Sequence, residues 1–280
     1  MGRCYAPVTA KKERVRPARF WVLVGALLAL VMLPLAWLSI AYESFKIPAG
    51  SMSPTLLVGD HFWVKKLWSP PARRGDVVVF RFPENRKQDF VKRIIAVPGD
   101  VLEALDGRPV INGWLAPHCH VGKYPYDGRS PELYVEFLGD AAYGTLFDSL
   151  LDEPACKSDG DCASGGACRG GVCGALQGPY EVASGEVWVM GDNRNNSHDS
   201  RQWRGGLGAG VPFDDVKGTA RLIWMSVGPD EGMVSERRFT DVQGPPTLPA
   251  SLIGSLGAAL EKCLRERPSR DQTTPPARSP

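Results

Sequence analysis

The chain has 280 residues, 43% of them apolar and 23% charged, a balance that supports a packed core and excludes an intrinsically disordered protein. The formal net charge is only +2. That is far from the basic excess of a dedicated nucleic-acid binder, so no nucleic-acid partner is expected.

In chain order, residues 1 to 19 form a basic arm carrying Lys11, Lys12, Arg14, Arg16 and Arg19. Phe20 to Tyr42 then reads FWVLVGALLALVMLPLAWLSIAY without a charge. At ~1.5 Å per residue this run is long enough to cross the ~30 Å hydrocarbon layer as a helix. Trp21 at one end and Trp37 and Tyr42 at the other suit the two interfaces, and Pro34 at most kinks the span. A cleaved secretory signal is the rival, with small residues available at Ser39 to Ala41, but its apolar region is usually ~7–15 residues. The positive bias before the span and the lone Lys46 close after it predict a cytoplasmic N-terminus and everything beyond Tyr42 outside.

From His61 to Val101 short apolar runs (HFWVKKLW, VVVFRF, FVKRIIAV) alternate with turn clusters rich in Pro, Gly and Asp. This predicts an antiparallel, mainly β architecture. Composition changes between Trp114 and about Tyr180, strand signals return in GEVWVMGDN and VKGTARLIWMSV, and the intervening stretch reads as an insertion. The expected organisation is an arm over 1–19, a membrane span over 20–42, a β domain over 43–113 and 181–244, an inserted Cys-rich subdomain over 114–180, and a C-terminal helix with a flexible tail over 245–280. In that last segment Leu252, Leu256, Leu260 and Leu264 recur every four residues, which predicts an amphipathic helix packed on the domain.

Cys156, Cys162, Cys168 and Cys173 fall in a short run with little apolar content. Their spacing lacks the C-x2-C of structural zinc, and outside the cytoplasm disulfides persist, so two disulfides are expected with three pairings open. Cys119 and Cys263 stand outside that group. His118 and His120 share a face of an extended chain but have no further ligands in view, and no metal is expected.

Just beyond the span the chain reads IPAGSMSPTLLVGD. Ser51 needs a base to become a nucleophile. His198 and Asp199 are adjacent, and neighbouring side chains of an extended segment diverge, which disfavours a Ser-His-Asp triad. Lys92 is the better partner: strand alternation sets it among Phe90, Ile94 and Ala96, where desolvation lowers an amine pKa. Taken singly, Ser51 reads as a turn residue and Lys92 with Arg93 as a solvated basic pair.

The combination is more specific. GSMSPTL at 50–56, GDVVVF at 75–80, KRIIAVPGD at 92–100 and GDNRNNSHDSR at 191–201 resemble, in order, the motifs of bacterial type I signal peptidases. That resemblance implies a membrane-bound serine endopeptidase on a mainly β fold, cutting signal peptides from exported preproteins in the bacterial inner membrane, without cofactor or metal. It implies Ser51 as nucleophile, Lys92 as general base and Ser197 as the hydroxyl orienting the lysine, with Asp192–Arg93 and Asp199–Arg201 as supporting ion pairs. It also implies small substrate side chains at the first and third positions before the cut.

Ala49–Gly50 leaves room for substrate backbone, with the Ser51 N–H turned to the developing oxyanion. Some members of the family carry a hydroxyl residue at the position of Ala49, which alanine cannot supply. The expected partners are preproteins and the lipid bilayer, which Phe62, Trp63 and Trp68 are placed to touch unless they are core. Two rivals stand beside this reading: a specialised processing peptidase of the same dyad type, and a non-catalytic membrane-anchored binding domain. Turnover of a range of preproteins separates the first, and any turnover separates the second.

Overall fold

The computed structural model describes residues 18–66, 73–152, 154–163, 165–228 and 232–277. The basic arm up to residue 17, on which the orientation expectation chiefly rests, and Trp68 lie outside the described residues. Two compact units divide at Ala41 and Tyr42.

The first unit contains helix α1 (Ala18–Ala41), with Pro34 inside it. Phe20–Ala41 has a mean hydropathy of 2.4 and exposes its large apolar side chains, so it is long and apolar enough to cross a membrane by length and composition. The helix ends one residue earlier than expected, because Tyr42 already opens a strand.

The second unit is mainly antiparallel β, as expected. Its largest sheet runs in the order β1 (Tyr42–Lys46), β2 (Asp60–Lys66), β16, β3 (Val77–Phe82), β4 (Asn85–Ala96), β14, β15. Here β14 is Glu186–Met190, β15 is Val211–Pro212 and β16 is Val216–Gly228. The uninterrupted apolar run of β3 is explained by burial on both faces. Val77 and Val79 join a core with Ile47, Met52, Leu56, Phe62 and Ile223, whereas Val78, Phe80 and Phe82 face Ile94, Val189 and Trp203. Phe62 is therefore core, while Trp63 is partly exposed and stacked on Trp224.

Three smaller sheets lie between β4 and β14. One joins β5 (Val101–Leu105), β6 (Arg108–Ile111), β7 (Trp114–Leu115) and β13 (Leu176–Glu181). The boundary expected at Trp114 falls inside this sheet, since β5 and β6 hydrogen-bond to strands of the supposed insertion. The second sheet is β8 (His118–Lys123), β9 (Glu132–Leu138) and β10 (Ala141–Phe147), and all seven residues of β9 are buried. The third is the hairpin β11 (Ala167–Arg169) and β12 (Val172–Gly174).

That hairpin is held by Cys156–Cys168 and Cys162–Cys173, the two disulfides expected in the cysteine run. A third, Cys119–Cys263, was not foreseen. It ties β8 to helix α2 (Ala250–Arg265), whose Leu256 and Leu260 pack with Val121, Tyr124 and Leu133. The segment after α2 is not the loose tail expected. It forms helix α3 (Arg270–Thr273), and buried Thr273 exchanges hydrogen bonds with Gly139 while Asn112 Nδ2 donates to Pro276 O at 2.7 Å.

Candidate active site

Ser51 lies in a single 3-10 turn, Gly50–Met52, entered from extended Ala49. Ile47 fixes the approach by pairing with Asp60 and Gly59. Met52 and Leu56, both fully buried, plug the turn into the core, and Leu56 N–H donates to Met52 O. From the other side, Asn193 N–H donates to Ser51 O and Asn193 Nδ2 to Gly50 O, each at 3.1 Å. The turn is thus gripped by its own side chains and by the loop after β14.

Lys92 sits on β4 between β3 and β14, opposite Val78. This is a central strand, so the solvated edge pair is excluded. Lys92 Nζ is 2.8 Å from Ser51 Oγ and donates to Val91 O at 2.9 Å. The Phe90 ring centroid is 5.3 Å from it. Burial pushes the Lys92 ammonium down to about 8; the carboxylates of Asp199 and Asp192 oppose that shift and Arg201 assists it. An amine of this kind is neutral in a substantial fraction of molecules near pH 8 and can then accept the Ser51 proton.

Both Arg–Asp pairs that the resemblance implies are formed. Arg93 makes a two-point contact with Asp192, Nε to Oδ1 at 2.8 Å and Nη2 to Oδ2 at 2.7 Å. It also donates to Gly75 O and covers the Tyr143 ring, with Thr55 Oγ1 closing on Asp192. Arg201 pairs with Asp199 through Nε and Nη2 at 2.9 and 2.8 Å, and Gly191 N–H donates to Asp199 Oδ2. Burial alone would raise the Asp199 carboxyl, but Arg201 and the Gly191 N–H hold it below its ordinary value. These carboxylates are occupied as acceptors and are not available as bases.

Ser197 is buried against Gly191. Its hydroxyl is close enough to Asp199 to favour the charged carboxylate, yet it makes no bond of hydrogen-bond geometry and does not bond Lys92. His198 turns away from Asp199 and sets its ring edge-on to Phe82, 5.8 Å between centroids, with Gln202 as its polar contact. His118 stacks on Tyr134, and His120 lies against the same ring and contacts Glu132.

Two parts of the site escaped the sequence reading. Arg194 makes a fully buried two-point pair with Glu136 of β9 at 2.6 and 2.7 Å, and Tyr143 donates to the same carboxylate. This joins the motif loop to the second sheet. The other part is Tyr126, whose ring lies on Gly50: a Cβ built there would stand 2.7 Å from Tyr126 Oη. Gly50 was expected to leave room for substrate, but this space is partly taken by an aromatic side chain. The turn signal Tyr126-Asp127-Gly128-Arg129 was legible in the sequence; the place to which it points was not.

The model of the family described as "Signal peptidase, peptidase S26" matches residues 19–225. The chain belongs to this signal peptidase family. Its relatives include signal peptidase I of Pseudomonas aeruginosa, 31% identical over 226 residues, covering 73% of this chain and 72% of the relative. Signal peptidase I of Pseudomonas fluorescens is 32% identical over 209 residues, 67% of this chain and 66% of the relative. That of Aquifex aeolicus is 35% identical over 206 residues, covering 66% and 76%. The chain therefore spans about two thirds to three quarters of the length of these signal peptidases. The family match runs through all four motifs and ends within β16, ahead of α2 and the disulfide that fastens it.

Proposed function

We propose that this chain is a membrane-anchored serine endopeptidase that removes signal peptides from exported preproteins, with Ser51 as nucleophile and Lys92 as general base. The observation that carries the proposal is the 2.8 Å contact between Ser51 Oγ and a buried Lys92 amine. Membership of the signal peptidase family supports the substrate class.

In this reading neutral Lys92 accepts the Ser51 proton as Oγ attacks the scissile carbonyl. Val91 O holds one amine hydrogen and so orients the lone pair toward Ser51. The Ser51 N–H, which donates to no acceptor among the described residues, is free to stabilise the oxyanion. Lys92 returns the proton to the leaving amine, and water then attacks the acyl-enzyme with Lys92 again as base. The two Arg–Asp pairs keep the motif loop rigid and leave the proton inventory to the lysine. Ser197 steadies the charge of Asp199 beside the amine rather than bonding Lys92 in the substrate-free state.

The apolar helix α1 anchors the enzyme in the bacterial inner membrane, and the positive residues before it orient the N-terminus to the cytoplasm. The test is incubation of the detergent-solubilised full chain with a preprotein. Cleavage by the unaltered chain and none by Ser51→Ala or Lys92→Ala is expected. Appreciable turnover by either variant refutes the assignment.

A further inference from the structure

Acyl transfer through a tetrahedral intermediate calls for hydrogen-bond donors aimed at the oxygen where charge develops, and a hole with two donors is far better than one. Around Ser51 the backbone supplies one donor, the Ser51 N–H. Ala49, the residue that leads into the turn, has no polar side chain. Asn193 is already spent on Gly50 O and Ser51 O. A second donor must come from elsewhere in the fold.

Tyr126 is positioned for that task by a rigid device. Tyr126 N–H donates to Arg129 O at 2.9 Å and Arg129 N–H to Tyr126 O at 3.0 Å, enclosing Asp127 and Gly128, whose φ values are 51° and 71°. Two consecutive positive φ values in a two-residue loop define the tight turn for which Asp-Gly is favoured. The turn lies between β8 and β9. The ring packs at the margin of the α2 core, and its outer edge lies over Gly50: the Cβ that any other residue would carry there meets Oη at 2.7 Å and Cε1 at 3.1 Å. The hydroxyl has no hydrogen-bond partner among the described residues, so its proton is available. A cavity of about 600 Å³ opens at the same place, bounded by Gly50, Tyr126, Asn196, Val58 and Leu252.

We propose that the Tyr126 hydroxyl is the second oxyanion donor, acting with the Ser51 N–H on the carbonyl oxygen of the scissile bond. This deepens, and rests on, the assignment of Ser51 as nucleophile. Gly50 then has a definite purpose: only a residue without a side chain lets the phenol reach over the turn. The donor comes from a hairpin remote in sequence from the four motifs, which is why the motif residues alone leave the hole incomplete. Asn196, at the rim of the same cavity, is the competing donor.

The experiment is steady-state kinetics on one preprotein with the full chain, Tyr126→Phe, Asn196→Ala, Ala49→Ser and Tyr126→Phe/Ala49→Ser, with Ser51→Ala as control. Phenylalanine keeps the ring and its packing and removes only the hydroxyl. Tyr126→Phe is expected to lower kcat about 10²-fold with KM changed less than about twofold, the loss typical of one oxyanion donor. A peptide aldehyde, whose adduct oxygen occupies the oxyanion position, is expected to bind Tyr126→Phe more weakly by a similar factor. Ala49→Ser brings a hydroxyl to the entrance of the turn and is expected to raise kcat more in the Tyr126→Phe background than in the unaltered chain, a coupling that a merely structural tyrosine does not produce.

Unchanged kcat in Tyr126→Phe overturns the proposal, as does an effect confined to KM, which makes the ring only a wall of the cleft. A loss of kcat in Asn196→Ala with none in Tyr126→Phe transfers the role to Asn196. Turnover by Ser51→Ala sinks the underlying assignment instead, and inactive Ser51→Ala beside fully active Tyr126→Phe rejects the tyrosine alone.

Discussion

Lys92 Nζ stands 2.8 Å from Ser51 Oγ across 41 positions of sequence, and the amine that makes this contact is buried in the middle of a sheet. Because burial lowers the lysine to about 8, the base form grows in as pH rises through that value. Activity is expected to climb about tenfold per pH unit well below 8 and to level off by about pH 9. A kcat/KM profile measured from pH 6 to 10.5 checks it. A curve still rising steeply at ~10.4, the value of free lysine, contradicts the desolvated amine. Lys92→Arg is expected to be inactive throughout, since a guanidinium keeps its proton at every usable pH.

The same burial makes Lys92 a burden on stability. The unfolded chain keeps the lysine proton up to 10.5 while the folded chain gives it up near 8. Between those values the unfolded state binds more protons, so the stability of the unaltered chain rises with pH across that window. The penalty is greatest below pH 8, where it amounts to about 3 kcal/mol for a shift of this size. Lys92→Met is therefore expected to be inactive yet more stable by up to that amount at pH 7, the advantage fading toward pH 10.5. Urea denaturation of both chains at pH 7 and pH 10 tests this, and equal or lower stability of Lys92→Met at pH 7 contradicts it.

Asp192 and Arg93 form a buried pair, and removing one partner leaves an uncompensated charge. Asp192→Ala is expected to cost about 3–5 kcal/mol, whereas Asp192→Leu/Arg93→Met costs much less because both charges leave together. Denaturation midpoints of the three chains give the comparison. A double variant as unstable as Asp192→Ala shows that packing on Tyr143, not charge pairing, is what Arg93 supplies.

The parts of this molecule legible in the sequence are those in which neighbours along the chain do the work. Strand periodicity, the turn clusters and the uncharged run of α1 each declare themselves within about ten to twenty residues, and four ordered motifs point to the Ser51–Lys92 contact and to both Arg–Asp pairs. What remained hidden depends on distant segments meeting. Glu136 reads as one acidic residue in a run of apolar ones, and only the fold reveals Arg194 against it. Cys119 and Cys263 are 144 positions apart, and no local pattern pairs them. Tyr126 belongs to a recognisable tight turn, but nothing in that turn says that it ends above Gly50. The boundary set at Trp114 failed for the same reason: β7 pairs with β6 across a tight turn, and β13 returns to β5 from some seventy residues away.

The Cys119–Cys263 bond links the stability of helix α2 to the shape of the cleft, because α2 contributes Ser251 and Leu252 to the cavity wall. Helix α2 is held by few buried side chains, Leu256, Leu260 and Cys263, and a 16-residue helix is marginal by itself in water. The disulfide closes a very long loop, and removing a bond of this kind typically costs 2–5 kcal/mol. Cys119→Ser/Cys263→Ser is expected to lose stability in that range and to lose amide protection in α2 before the large sheet. Ser51 and Lys92 are held by β4, the 3-10 turn and Asn193, and Tyr126 by the hydrogen bonds of its own tight turn with Arg129, so the chemistry is expected to persist. Leu252 and Ser251, at the start of α2, line the cavity beside Gly50, and loosening them enlarges it. The double variant should therefore raise KM several-fold with a smaller change in kcat. Hydrogen exchange together with steady-state kinetics decides the matter: full protection of α2, or a fall in kcat at constant KM, means that the helix is held by its packing alone or that its disulfide acts on the reacting groups.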